Sequence, residues 1–90
     1  LLEELRTRER VLKELNEIRT NIRTAATKIK QLGPFDPRLT DYYKNLKMAK
    51  NKVLSLIKDF DDDEEMVKIA NEIVSEIDDL LDMITAKLNV

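Results

Sequence analysis

Between residues 32 and 37 the chain reads Leu32-Gly33-Pro34-Phe35-Asp36-Pro37, which contains its one glycine and both of its prolines. Glycine favours the left-handed C′ position that ends a helix, so we expect Gly33 to lie there, with Pro34 preventing the helix from continuing. Aspartate is a strong N-cap and proline suits the first helical position, so a second helix is expected to begin at Asp36-Pro37. The two helices must then fold back on each other as an antiparallel pair.

Three amphipathic segments are arranged around this corner and a second, acidic one. Apolar residues recur every three or four positions in each segment, which is typical of a helix with one buried face. The predicted helices cover residues 1–32, 37–60 and 63–88 of a single domain, residues 1–90. Their similar lengths and short connections predict an all-α fold, an antiparallel up-down-up three-helix bundle.

A few residues at the corners and seams have specific expected roles. The acidic run 59–65 is expected to supply an aspartate N-cap for the third helix. Its spacing does not match a calcium-binding EF-hand loop, because position 6 is not glycine in either register.

Phe35 and Phe60 are expected to plug the two ends of the bundle. Arg8 interrupts the apolar pattern, so we expect it to lie at a helix seam or to pair with an acid of the third helix, with ligand binding as the alternative.

Charge is distributed unevenly along a chain whose net charge is only −2. Residues 1–32 carry a net charge of +3 and residues 33–60 also carry +3, whereas residues 61–90 carry −8. Opposite charges on neighbouring helices help to specify which helix packs where, although each exposed pair contributes less than about 1 kcal/mol. We therefore expect the acidic third helix to face the basic flanks of the other two.

The composition removes the side chains that most enzymes use. There is no His, Cys or Trp, so the best transition-metal ligands and the commonest general base are missing. The carboxylates of Asp78, Asp79 and Asp82 belong to a helix face expected to be solvated, where nothing separates their pKa values for acid–base chemistry. Phosphate-binding and nucleophile motifs are missing too. We therefore expect no enzymatic activity, no catalytic residue, no metal and no cofactor.

Several other kinds of partner are not favoured by the sequence either. The lysines of the second helix point in several directions and have no aromatic residues between them, which argues against nucleic acid. No run approaches the roughly 18 apolar residues of a membrane span, and no basic-then-apolar leader opens the chain. We expect a soluble protein without a small-molecule substrate, and its cellular location stays open.

One signal for function lies on the predicted outward face of the first helix. Threonine and asparagine are each about 0.5 kcal/mol worse than alanine as helix formers, yet they line this face for several turns. Short neutral side chains flanked by arginine are typical of an interface core and its rim. The predicted protein-binding residues are Asn16, Thr20, Arg23, Thr24 and Thr27, and Met48 and Asn51 on the second helix form a second, weaker strip.

Two resemblances agree with a binding role. The minimal corner Gly33-Pro34-Phe35-Asp36-Pro37, the sparse glycine and the absence of Cys, His and Trp resemble a de novo designed helical bundle of the binder or scaffold type. That resemblance implies a protein-binding module and no enzyme. The stretches Val53-Leu54-Ser55-Leu56-Ile57 and Asp63-Glu64-Glu65-Met66 resemble the GAT domain, whose partners are ubiquitin and sorting proteins. Helix order and length are also similar to the BAG domain of chaperone adaptors, but the acidic third helix departs from its basic one.

The leading hypothesis is a three-helix module that binds another protein through the exposed face of its first helix. The first alternative is a structural design or scaffold with no partner. The second is a natural trafficking or chaperone adaptor. Charge reversal at Thr20 and Thr24 together distinguishes the first two, because only a binding module loses binding while its thermal stability stays unchanged. An adaptor predicts homologous sequences with flanking domains.

Overall fold

The computed structural model describes the backbone of residues 2–89 and the side chains from Thr7 onward. Within that range the chain is all-α, with helices α1 (Leu2–Gln31), α2 (Arg38–Leu56) and α3 (Glu64–Leu88) and a 3₁₀ turn (Lys58–Phe60). The helices pack into a three-helix bundle, so the predicted all-α class and the number of helices are confirmed. Leu1 of the predicted first helix and Val90 of the predicted domain lie outside the described residues.

One apolar face of each helix contributes to a continuous core. The buried residues follow the predicted three- and four-residue spacing, and no polar or charged residue among those described is buried with them. The core consists of Val11, Leu15, Ile22, Ile29, Leu32, Leu39, Leu46, Val53, Met66, Ala70, Ile73, Ile77, Leu80, Leu81 and Ile84. Seven of these residues belong to α3, which is consistent with a stripe wide enough to face two neighbours. None of the described helices is long and apolar enough to cross a membrane.

The second helix ends earlier than predicted, at Leu56 and not at residue 60. Ile57 has φ −92° and ψ 1°, which is outside the helical region. The chain continues as a 3₁₀ turn in which the Phe60 N–H donates to the Ile57 carbonyl oxygen at 2.9 Å. Such tighter turns are frequent at helix ends. Phe60 is half-buried against the core, in agreement with its predicted role at that end of the bundle.

The corner between α1 and α2 has its left-handed residue at a different position from the one predicted. Gly33 has no positive φ, whereas Phe35 has φ 64°. The Asp36 N–H donates to the Gly33 carbonyl oxygen at 3.4 Å, so Pro34 and Phe35 occupy the central positions of a type II turn. The prediction for Gly33 is therefore wrong. Proline pushes the residue before it toward extended backbone, and the left-handed conformation falls two residues later.

Phe35 does not plug the end of the bundle, because it is 61% exposed. Its backbone N–H donates to the Lys87 carbonyl oxygen at 3.2 Å, which ties the corner to the end of α3 while the ring stays in solvent. A non-glycine residue in the left-handed conformation costs about 1–2 kcal/mol. The corner is thus held by a backbone hydrogen bond and not by burial of the ring.

The C-terminus of α1 is capped by a side chain from α3. The Lys87 ammonium donates to the carbonyl oxygens of Ile29 (2.8 Å), Lys30 (3.3 Å) and Leu32 (2.7 Å). The last carbonyl groups of a helix have no intrahelical hydrogen-bond partner and carry a partial negative charge. The Lys87 ammonium group provides both the missing donor and a compensating positive charge. A tertiary contact takes the place that the predicted glycine cap would have had.

Asp63 is the N-cap of α3, as predicted, whereas the N-cap of α2 is Pro37 and not the predicted Asp36. The Asp36 carboxylate accepts the Arg38 backbone N–H at 2.9 Å, although regular α-helix begins at Arg38, one residue later than expected. A hydrogen-bonded ion pair with the Arg38 guanidinium lowers the pKa of Asp36 to about 2. The Asp63 carboxylate accepts the Met66 N–H at 3.2 Å and is the N-cap of α3.

Replacing Lys87 by Met keeps the aliphatic stem but leaves the carbonyls at the end of α1 without their cationic donor. We expect the free energy of unfolding, measured in urea, to fall by about 1.5 kcal/mol, the lower end of the range for hydrogen bonds to charged groups. Lys68→Met is the matched control, because Lys68 is exposed on the same helix. Equal effects of the two substitutions would contradict the capping role of Lys87.

Phe35→Gly should raise the thermal stability. Glycine removes the left-handed penalty of about 1–2 kcal/mol, and its greater unfolded-state entropy offsets about 0.5–1 kcal/mol of that gain. Gly33→Ala should also be stabilising or neutral, because no atom lies within 4 Å of the added Cβ and Gly33 has no positive φ. Calorimetric melting temperatures check both, and a drop for Gly33→Ala would place the left-handed residue at Gly33 instead.

Candidate protein-binding surface

Ion pairs join α3 to both of its neighbours. From α1, Arg8 pairs with Asp63 (2.7 Å) and Glu65 (2.9 Å), Arg19 with Glu72 (3.3 Å) and Glu76 (3.5 Å), and Arg23 with Glu76 (3.4 Å). From α2, Lys50 pairs with Asp78 at 2.8 Å. The acidic third helix therefore faces the basic flanks of the other helices, as its charge predicted. Arg8 lies at the seam and pairs with acids near the start of α3, which confirms its structural interpretation.

The seam between α1 and α2 is different, because no ion pair among the described side chains crosses it. A groove of about 420 Å³ lies there, hereafter the α1–α2 groove. It is lined by Ile18, Asn21, Ile22 and Ala25 from α1 and by Tyr42, Asn45, Leu46, Met48, Ala49 and Lys52 from α2. Most of these side chains are apolar, and Lys52 is the one charged residue in the lining.

Two small side chains explain why the α1–α2 groove is open. Ala25 and Ala49 are half-buried positions on the core-facing stripes, where longer aliphatic side chains would meet across the seam. Below them Ile22 and Leu46 are only 4% and 3% exposed and form the floor. Since a methyl group leaves space that a leucine side chain would fill, the two alanines keep the seam from closing.

The rim of the groove combines an exposed apolar residue with polar ones. Met48 is 68% exposed, the highest value among the large hydrophobic residues that are described. Asn21, Asn45 and Lys52 lie on the rim and are exposed. An apolar floor with a few polar groups at its edge is typical of a binding groove.

The predicted binding residues of α1 lie on its outer face and none of them lines the groove, which this face meets at Asn21. Asn16, Thr20, Thr24 and Thr27 are all exposed. A shallow depression on this face is lined only by residues of α1, among them Asn16 and Thr20, so it offers a flat surface and no enclosed cavity. The face could contact a flat epitope on another protein, but it could not enclose a small molecule.

The threonine hydroxyls on this face are already hydrogen-bonded within α1. Thr20 donates to the Asn16 carbonyl oxygen (3.0 Å), Thr24 to that of Thr20 (3.1 Å) and Thr27 to that of Arg23 (3.3 Å). Threonine side chains inside a helix commonly donate such hydrogen bonds to the preceding turn. Toward a partner, these side chains therefore present methyl groups and hydroxyl oxygens that can accept.

The structure separates some of the residues that the sequence grouped together. Arg23 pairs with Glu76, so it belongs to the α1–α3 seam as well as to the edge of the outer face. Met48 lies on the rim of the groove, whereas Asn51 is exposed but does not line it. Asn21, Asn45 and Lys52 line the groove but are not among the residues that the sequence predicts. The sequence signal that could have located them is Ala25 and Ala49, two small residues on the core-facing stripes of α1 and α2.

The described residues contain no group of three or more His, Cys, Asp or Glu side chains that could hold a metal ion. At the acidic corner before α3, the Asp63 carboxylate is already engaged by Arg8 and by the backbone of its own helix. The Arg8 hydrogen bond holds the pKa of Asp63 below its usual value. This carboxylate is therefore part of the structure of the corner.

Comparison with protein-family models, with curated protein sequences and with solved structures found no match. The geometry of the α1 outer face and the α1–α2 groove is therefore the basis for any functional assignment.

Acid should weaken the α1–α3 seam in a way that depends on Arg8. Because the pKa of Asp63 is lower in the folded state, its stabilising contribution is complete above its unfolded value, near 3.8, and is lost as the pH falls through the folded value. Melting temperatures from pH 5 to pH 2 should fall less steeply for Arg8→Gln than for the wild type. Parallel curves would show that Arg8 does not shift the titration of Asp63.

Proposed function

We propose that this chain is a non-enzymatic protein-binding module that docks a target protein through the outer face of α1 and the adjoining α1–α2 groove. The observation that carries the proposal is the contrast between the seams. Ion pairs cross the two seams of α3, whereas the α1–α2 seam exposes Met48 beside an apolar groove. Exposed apolar surface with a polar rim is characteristic of protein interaction sites.

An antiparallel up-down-up arrangement of the helices is part of this proposal. Contacts between α1 and α3 follow the same order along both helices: Arg8 meets Asp63 near their starts, and Ile29 meets Lys87 near their ends. Two helices that run in the same direction leave the middle helix antiparallel to both. In that arrangement the outer face of α1 lies between the α1–α2 groove, which it meets at Asn21, and the α1–α3 seam, where Arg23 pairs with Glu76.

The proposed docking makes and breaks no covalent bond. The groove would take an apolar segment of the target, and Asn16, Thr20, Thr24 and Thr27 would contact the surface beside it, with Arg23 at the edge. Because these side chains are short and the threonine hydroxyls are already bonded to their own helix, little conformational entropy is lost when a partner covers them. The resemblance to designed binder-type bundles agrees with this role.

A scaffold without a partner is the second candidate, and the same threonines favour it. Hydroxyl groups that donate to carbonyls of their own helix need no external partner, so they are compatible with a surface of no function. The two candidates differ in whether the α1–α2 side is a preferred binding surface, which can be measured.

Selection of a random peptide library on the immobilised protein tests the proposed function. We expect enriched peptides to lose at least tenfold in affinity, about 1.4 kcal/mol, for Met48→Glu and for Thr20→Glu/Thr24→Glu. Asn71→Glu, which adds the same charge on the exposed side of α3, is the matched control and should have no effect. Melting temperatures of all variants should stay within a few degrees of the wild type, since every altered side chain is exposed.

Three results would contradict the proposed function. Peptides that ignore these substitutions would show that binding occurs elsewhere, and failure to enrich any peptide would favour the scaffold. Light scattering of the wild type provides the third: a dimer that Thr20→Glu/Thr24→Glu splits into monomers would mean that the surface serves self-association.

A further inference from the structure

We infer that the natural occupant of the α1–α2 groove is an amphipathic helix of a partner protein, apolar on one face and acidic at its edge where it meets Lys52. This inference rests on the proposed function and adds the shape and charge of the partner to it.

The walls of the groove favour a helix over an extended segment. Both walls are the middles of α-helices, whose backbone N–H and C=O groups are used within each helix. An extended peptide would find no backbone partners there, so its own N–H and C=O groups would depend on water and on the amides of Asn21 and Asn45. A helix satisfies its backbone internally and needs only an apolar trough, which is the usual mode of helix-in-groove recognition.

The length of the groove matches about two turns of such a helix. Ile18, Ile22 and Ala25 on the α1 wall are spaced by four and three residues and span about 10 Å at 1.5 Å per residue. Tyr42 and Ala49 on the α2 wall have the same separation of seven residues. Apolar side chains of the incoming helix at i, i+3 or i+4, and i+7 would therefore reach the floor over its whole length.

The positive charge of Lys52 favours a partner helix whose polar edge is acidic. Lys52 is exposed, lines the groove and has no ion-pair partner among the described residues, and no acidic side chain lines the groove. The α2 helix is basic as a whole, since Asp41 is its one acidic residue. The acidic side chains of α3 do not pair with Lys52. Among the described residues, the α2 side chain that forms an ion pair with α3 is Lys50. A carboxylate beside Lys52 would form an exposed ion pair at the rim.

A pair of synthetic helical peptides tests the inference directly. Both would be 18 residues long with leucine at i, i+3, i+4 and i+7, one with glutamate and the other with lysine at the polar positions. Titration into ¹⁵N-labelled protein at low salt should shift the amide signals of Asn21, Ala25 and Ala49 with the glutamate peptide. We expect the lysine peptide to bind about tenfold more weakly and Lys52→Glu to reverse the preference.

Two control variants separate charge from shape. Lys68→Glu makes the same charge change on the exposed face of α3 and should leave both affinities unchanged. Ala49→Leu should block both peptides, because the longer side chain fills the groove, and circular dichroism would verify that the variant is still folded.

The outcomes distinguish this inference from the proposed function. The inference that the partner is an acidic helix would be overturned by any of three results: equal binding of both peptides, no binding of either, or no effect of Lys52→Glu. The proposed function would stand in each case if library peptides still depended on Met48. If those peptides also ignored Met48→Glu, both proposals would fall. A wild-type dimer whose groove signals shift on dilution would identify a second copy as the occupant and overturn the inference.

Discussion

The arrangement of this bundle depends on α3, which supplies both the widest apolar stripe and the acidic side of every ion pair between helices that the described side chains form. Its buried residues pack against α1 and α2 together, and its carboxylates attract the basic flanks of both. Each pair is partly exposed and therefore weak, so burial provides most of the stability and charge acts mainly on the choice of neighbours. Because α3 is joined to each of the others by ion pairs as well as by apolar packing, it organises the bundle, whereas no ion pair among the described side chains joins α1 to α2.

The α1–α2 seam, which has no such ion pairs, is where a binding surface can exist. A seam filled by large side chains and bridged by ion pairs leaves no groove for a partner. In the α1–α2 seam, by contrast, Ala25 and Ala49 leave a groove open above a floor of Ile22 and Leu46. Exposed apolar surface is a liability unless something covers it. In the proposed function the cover is a target protein, and an acidic helix is the form that the walls and the charge of the groove favour.

The corner between α1 and α2 shows how a tertiary contact can outweigh local preference. Phe35 has a left-handed backbone that glycine would adopt with less strain, and it exposes its ring to solvent. Its N–H is bonded to the Lys87 carbonyl oxygen, and the Lys87 ammonium caps the end of α1. Contacts with the end of α3 therefore hold this corner, which explains how a conformation with a local cost can persist.

The sequence alone determined the helices, the residues that form the core, the aspartate cap of α3 and the pairing of Arg8, because each follows from local spacing or from a charge placed in an apolar pattern. Helix ends were predicted less well, as Ile57 and Gly33 show. The capping of α1 by Lys87 joins residues 58 positions apart, and no local rule connects them. The groove likewise depends on which faces of α1 and α2 meet, so Lys52 and Asn45 could be recognised as its rim only once the helices were packed. Local periodicity specifies which face of a helix is buried, whereas the space left between two buried faces is a property of the packed structure.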